Sequence, residues 1–174
     1  MARLWLNQTP REWDLLMTLL ARRTFDSILE IGTESGGSFL HLMGLVRPGG
    51  CALSISTGSP NRKLFQSWAP ANVNIDSIEA DSHGEYALSF ARAYAPFGLV
   101  HIDGDHTLNG ARRDWLEYGL GMTQPGSVVV IHDIADQNMG CAYLWAQDIR
   151  QHEWNTLEIV DPDATYNGIG VVFL

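Results

Sequence analysis

Apolar residues fall into short runs, separated by stretches in which they recur every three or four positions. The runs are "SILEI" (27–31), "CALSI" (51–55), "VNIDSI" (73–78), "GLVHI" (98–102), "SVVVI" (127–131), "NTLEIV" (155–160) and "GVVFL" (170–174). Several are β-branched without clean alternation, the pattern of strands covered on both faces. Thr9 followed by Pro10 marks a helix start, and Trp13, Leu16, Met17 and Leu20 then share one face. Tyr86, Phe90 and Tyr94 form a second stripe, Leu108, Ala111, Trp115 and Tyr118 a third, and Cys141, Trp145 and Ile149 a fourth. "RPGG" (47–50) and "TQPGS" (123–127) read as turns that stop one element before the next strand. Strands alternating with helices predict an α/β sandwich with a mostly parallel sheet and helices on both faces. The last two strands are joined by "DPDATYNG", too short for a helical crossover, so they are expected to form an antiparallel hairpin at one edge.

The chain has 174 residues and is expected to form one domain over 1–174, with an N-terminal helix within 1–24 and the core over 25–174. Hydrophobic residues are 45% and charged residues 18%, ordinary for a globular protein, and no apolar run approaches the length that spans a bilayer. The opening "MARLWLNQTPREW" lacks the apolar segment and cleavage site of a signal peptide, so a cytoplasmic location is expected, with no membrane partner. A net charge of −9, without a Lys/Arg cluster, argues against nucleic acid and favours neutral or cationic small substrates, or a sugar. Cys51 and Cys141 lie far apart among apolar residues and read as reduced, buried thiols.

Two segments carry candidate chemistry. After the first strand, Gly32, Gly36 and Gly37 lead into a helix beginning near Ser38. In an open α/β sheet this turn sits at the carboxyl edge, where ligands bind. The spacing G-x-x-x-G-G differs from the dinucleotide G-x-G-x-x-G, so hydride chemistry loses support. The second segment is "VHIDGDHTLNG" (100–110), where Asp103 ends one strand, as His132 and Asp133 end the next. Adjacent strands lie about 5 Å apart, so these groups can converge, and a divalent cation would relieve the repulsion of their carboxylates. Alternatively, Asp103 and Asp133 shape their loops through Asx-type bonds. His106 can accept a proton near neutral pH. Asp105 reads as a turn former or a partner orienting His106, and His101, inside the strand, as a hydrogen-bonded core histidine.

"ILEIGTESGGSFLHL" (28–42), with "HIDGDHTLNGARRDWLEYGLGMTQPGSVVVIHDI" (101–134), resembles the class I S-adenosylmethionine (SAM)-dependent methyltransferases. More narrowly, it resembles their small O-methyltransferase-like group, related to catechol, macrolide-sugar and rhamnosyl O-methyltransferases and to cephalosporin-hydroxylase-type proteins. The resemblance runs from about residue 25 to the end, including "GCAYLWAQDI" and "NGIGVVFL". It implies a Rossmann-like fold with a seven-stranded sheet whose last strand is antiparallel.

The resemblance also implies that Glu30, Gly32, Gly36 and Ser38 surround the amino-acid half of SAM, with Ser38 holding the carboxylate. Asp81 and Ser82 of "ADS" would meet the adenine, with His83 on the same side; alternatively, Ser82 caps a helix. Ser56 stands where the family commonly carries an acid for both ribose hydroxyls, and a hydroxyl lacks that bidentate grip. Asp103 is expected to contact cofactor and metal and to serve in catalysis, with His132 and Asp133 completing the metal set. Mg²⁺ prefers oxygen ligands, whereas imidazole suits Mn and its softer neighbours, so His132 is a departure from the catechol-type set. His106 occupies the offset where catechol-type relatives place the lysine that deprotonates the acceptor.

The expected activity is methyl transfer from SAM to a hydroxyl of a sugar or small metabolite, assisted by Mg or Mn. The alternatives are a non-catalytic methyltransferase-like binding module and a metal-dependent hydrolase using the same acidic edge. The chain carries no obvious lid insertion, so either the acceptor site is open or a neighbouring subunit of a homo-oligomer closes it.

Overall fold

A computed structural model describes residues 8–58, 62–164 and 166–174, so residues 1–7 of the expected N-terminal segment lie outside the described residues. The apolar runs become β1 (Phe25–Ile31), β2 (Val46–Ser56), β3 (Asn74–Glu79), β4 (Phe97–Ile102), β5 (Thr123–His132), β6 (Asn155–Ile159) and β7 (Ile169–Phe173). They form one seven-stranded sheet in the order β3-β2-β1-β4-β5-β7-β6. Strands β1 to β5 pair in parallel. The short 160–168 connection reverses the chain, so β7 runs antiparallel to both β5 and β6, slotting between them and leaving β6 at the edge. The strand order turns around between β1 and β4, which opens a crevice above their carboxyl ends.

Helices α1 (Pro10–Leu20), α2 (Gly37–Leu42), α3 (Arg62–Trp68), α4 (Glu85–Arg92), α5 (Leu108–Asp114) and α6 (Gly140–Tyr143) surround the sheet. Helices α5 and α6 continue as π-helical turns over Trp115–Leu120 and Leu144–Ile149. One core layer joins Trp13, Leu16, Phe39 and Phe65 to Ile28, Leu99 and Val130 on one sheet face. The other joins Ala87, Ala111, Trp115 and Trp145 to Leu29, Val100 and Val129 on the opposite face. Burial on both faces is why the strand residues do not alternate. Helix α1 begins as expected: the Thr9 hydroxyl accepts from the Glu12 amide, and the Glu12 carboxylate reaches back to the Thr9 amide.

Expectations change in α4, in the two proline–glycine turns and at Cys51, which is only partly buried whereas Cys141 is buried. In α4 the buried residues are Ala87, Leu88 and Ala91, not the aromatic stripe; Tyr86 is exposed, and Phe90 and Tyr94 lie half-buried against each other. The alanines let the helix approach the sheet closely, and the rings cover its flank. The two proline–glycine turns interrupt strands rather than precede them. Pairing runs Phe25–Val46 and resumes at Ser27–Cys51, so residues 47–50 loop out within β2 around Gly49 at φ 90°. Residues 124–127 do the same in β5 around Gly126 at φ 93°. Among the described residues no helix is long and apolar enough to cross a membrane.

Candidate functional site

The site forms where β1 and β4 separate. Gly32 donates its amide to Ile55 O at 2.9 Å, and Asp103 donates its amide to Ile31 O at 2.9 Å. Gly32 has φ 86°, and a Cβ there would lie 1.8 Å from the Asp103 carbonyl oxygen. Only glycine permits that crossing.

Asp103 emerges as the hub. Its Oδ1 lies 3.1 Å from His106 Nε2 and 3.2 Å from His132 Nδ1, and its Oδ2 accepts from Gln8 Nε2 at 3.3 Å. Asp133 is buried and takes a left-handed backbone conformation, φ 59°, one of the few a short polar side chain tolerates. Its Oδ1 lies 3.2 Å from His132 Nδ1 and its Oδ2 3.6 Å from His106 Nε2. The carboxylates of Asp103 and Asp133 thus face histidines, while Asp105 makes the Asx turn, its Oδ1 accepting from the Thr107 amide at 2.8 Å.

The charges settle accordingly. Burial alone would raise the Asp103 pKa, but the charge of His132 and hydrogen bonds from His106 and His132 outweigh it and hold the carboxyl well below its usual range. Burial disfavours a charged His132, yet Asp103 and Asp133 push its pKa up to about 10. The hydrogen bond to Asp103 likewise raises His106, against its partial burial.

Ligand atoms of Asp103, His106 and Asp133 lie within 4.8 Å of one another. Two carboxylate oxygens and an imidazole nitrogen in that compass fit a divalent cation of the Mn type. The grouping brings His106 to the carboxylates from the open side, whereas His132 supports both from a buried position.

Two contiguous cavities, of about 310 and 470 Å³, share Gly32, Ser56, Thr57 and Gly104 and form one elongated cleft. One end is walled by Asp81, Ser82 and His83, the other by Glu34, Asp103 and His106. A third cavity opens beyond His106, lined by Leu108, Asn138, Met139 and Tyr143 among others.

Ser82 does not cap a helix: the α4 N-cap is Gly84. Ser56 Oγ accepts from the Gly58 amide at 3.4 Å. Glu30, Gly36 and Ser38 do not line the cleft. Glu30 is buried beneath it, its Oε1 2.9 Å from Nδ1 of the equally buried His101. Gly36 lies over the Phe65 ring, and Ser38 is half-buried on α2.

Two residues that the sequence reading passed over border the site. Gln8 reaches Asp103 across 95 residues of chain, a contact no local pattern announces. Asp114, on a helix where a charge reads as solvated, is fully buried with His83 Nε2 3.2 Å from its Oδ1.

The methyltransferase-domain family matches residues 29–134, more than half of the chain, and the chain belongs to that family. Solved structures agree on the fold. An O-methyltransferase from Bacillus cereus in complex with S-adenosylhomocysteine (SAH) superposes with TM-score 0.68 at 19% identity, covering 97% of this chain and 83% of the other. TomG from Streptomyces achromogenes, an O-methyltransferase of tomaymycin synthesis in complex with SAM, gives TM-score 0.69 at 19% identity, covering 98% and 82%. MycE, a methyltransferase of the mycinamycin pathway in complex with Mg and SAH, gives 0.62 at 18%, covering 92% of this chain and 48% of the other. No curated protein matches the chain.

Proposed function

We propose that this methyltransferase-family protein transfers the methyl group of SAM to a hydroxyl of a small metabolite or sugar, in the cytoplasm. The observation that carries the reading is the position of His106. It closes one end of the elongated cleft and also lines the next cavity, so a methyl donor and an acceptor placed in the two would meet beside its imidazole. The donor's nucleoside end would lie by Asp81, Ser82 and His83, with Ser56 toward the ribose. Its amino-acid end would lie by Gly32 and Asp103, above Glu30 and in front of Gly36 and Ser38. The solved relatives with SAM, SAH or Mg support this assignment.

Methyl transfer from a sulfonium is a displacement at carbon, so the protein contributes alignment and removal of the acceptor proton. His106, about one-third exposed, takes that proton at Nε2 once the acceptor hydroxyl replaces Asp103 as its partner. Asp103 and Asp133 then hold the positive charge that develops on the ring. A divalent cation held by the Asp103 and Asp133 carboxylates would acidify the hydroxyl, leaving His106 Nε2 free to take its proton. Calorimetric titration with SAH tests the reading. Binding that disappears in Gly32→Val, whose side chain would enter the Asp103 carbonyl, is the expected result. Absence of binding by the parent at millimolar SAH removes the proposal.

A further inference from the structure

Gln8 is the one described residue from outside the sheet edge that hydrogen-bonds the hub carboxylate. It is 5% exposed, its Nε2 donates to Asp103 Oδ2 at 3.3 Å, and its Oε1 is buried without a partner among the described residues. With Oδ2 occupied, the two histidines fall on Oδ1 alone.

Gln8 is itself anchored. Thr9, the next residue, forms the capping box with Glu12, a fully buried carboxylate. Glu12 Oε1 accepts from the Asp161 amide at 2.9 Å, and Arg11 lies 3.6 Å from Asp161. A continuous set of bonds therefore runs from the β6–β7 connection through Glu12 and Thr9 to Gln8 and Asp103. A side chain needed only to fill space would not require such bracing, nor bring an amide donor to the least replaceable carboxylate of the site.

We propose that Gln8 is a positioning residue for the cation site: it fixes the plane of the Asp103 carboxylate so that Oδ1 faces the gap toward Asp133 and His106. The inference rests on reading that gap as the cation position of the proposed methyltransferase. Partners that orient metal ligands from behind typically change metal affinity about 10- to 100-fold when removed.

The test uses the full chain and Mn²⁺ alone, with affinity read by electron paramagnetic resonance, alongside Tm and SAH affinity. Gln8→Met keeps the length of the side chain and removes the donor. It is expected to weaken Mn²⁺ binding about tenfold while Tm and SAH affinity stay close to the parent's. Gln8→Leu likewise lacks a donor and is expected to weaken Mn²⁺ binding by a similar factor; it decides the matter should Gln8→Met not fold. A purely structural role lowers Tm in both variants and leaves Mn²⁺ affinity unmoved. The inference is overturned by Mn²⁺ affinity within about threefold of the parent in Gln8→Met or, where that variant does not fold, in Gln8→Leu, or by no Mn²⁺ binding in the parent. SAH binding with no effect of Gln8 on Mn²⁺ removes this inference and leaves the methyl-donor reading. Mn²⁺ loss in Gln8→Met with no SAH binding in any form does the reverse.

Discussion

Replacing Asp114 with asparagine is expected to stabilise the protein at neutral pH. Asp114 ends α5 behind Gly104, at 0% exposure, with His83 Nε2 3.2 Å from its Oδ1. Burial raises its pKa from 3.8 to about 6, with Ser82 and His83 pulling the other way. A carboxyl whose folded pKa lies above its unfolded value binds more protons in the folded protein between those two values. Stability therefore falls as pH rises from 3.8 to about 6 and stays lower above that. The difference between the two values corresponds to about 3 kcal/mol, the most that charge removal can recover. The Asp114→Asn side chain keeps the shape without the charge, and His83 retains Gly110 O at 3.2 Å as a partner. Urea unfolding at several pH values is the assay. Asp114→Asn should match the parent near pH 4 and exceed it by about 1–3 kcal/mol at pH 7.5. A variant less stable than the parent at pH 7.5, or a difference that does not change with pH, refutes the reasoning.

Other outcomes follow from the same geometry. Ser56→Asp restores a carboxylate to the end of β2 and should tighten SAH about tenfold by calorimetry; unchanged or weaker binding would separate Ser56 from the ribose. Gly140→Ala would place a Cβ 2.0 Å from Leu108 N, in the loop where Gly140 donates its amide to His106 O at 2.7 Å. A loss of about 1–3 kcal/mol in thermal unfolding and a displaced His106 in a crystal structure are expected, and a fully stable variant contradicts the close packing. Asp103→Asn removes the charge facing His132, whose titration midpoint, about 10 in the parent, should fall by more than about one pH unit in NMR spectra. Because His132 is raised above its ordinary 6.5, its stabilising contribution is complete below 6.5 and is lost as pH rises toward about 10; that loss should shrink in the variant.

Strands were legible because both sheet faces are covered, which forces contiguous apolar runs such as "SVVVI". The acids at the ends of β4 and β5 were legible for the same reason: charge after such a run has one place to go, the sheet edge. Which histidine meets those acids from the open side was not. It depends on the left-handed turn at Asp133, which carries no residue signature beyond aspartate's tolerance of it. The α4 face was misread because periodicity ranks large rings above alanines, while close packing on a sheet favours the alanines. Gln8 and Asp114 act through residues distant in sequence, 95 positions away for Gln8 and 31 for the His83 that faces Asp114, where no periodic pattern reaches. The edge position of β6 also needed coordinates, since a hairpin pattern does not say which arm joins the sheet.

The π-helical turns have a mechanical consequence. An α-helix is a rigid screw in which each residue advances about 100°, so aiming its first turn also dictates which way its last turn points. The helices that leave the ends of β4 and β5 must satisfy both demands, presenting Thr107 and Gly140 beside His106 while burying Tyr118 and Ile149 toward their far ends. A widened turn at Trp115–Leu120 and another at Leu144–Ile149 act as slip joints between those demands. Each end can be set on its own, and a one-residue deletion in either joint should cost the protein less than the same deletion in the turn before it.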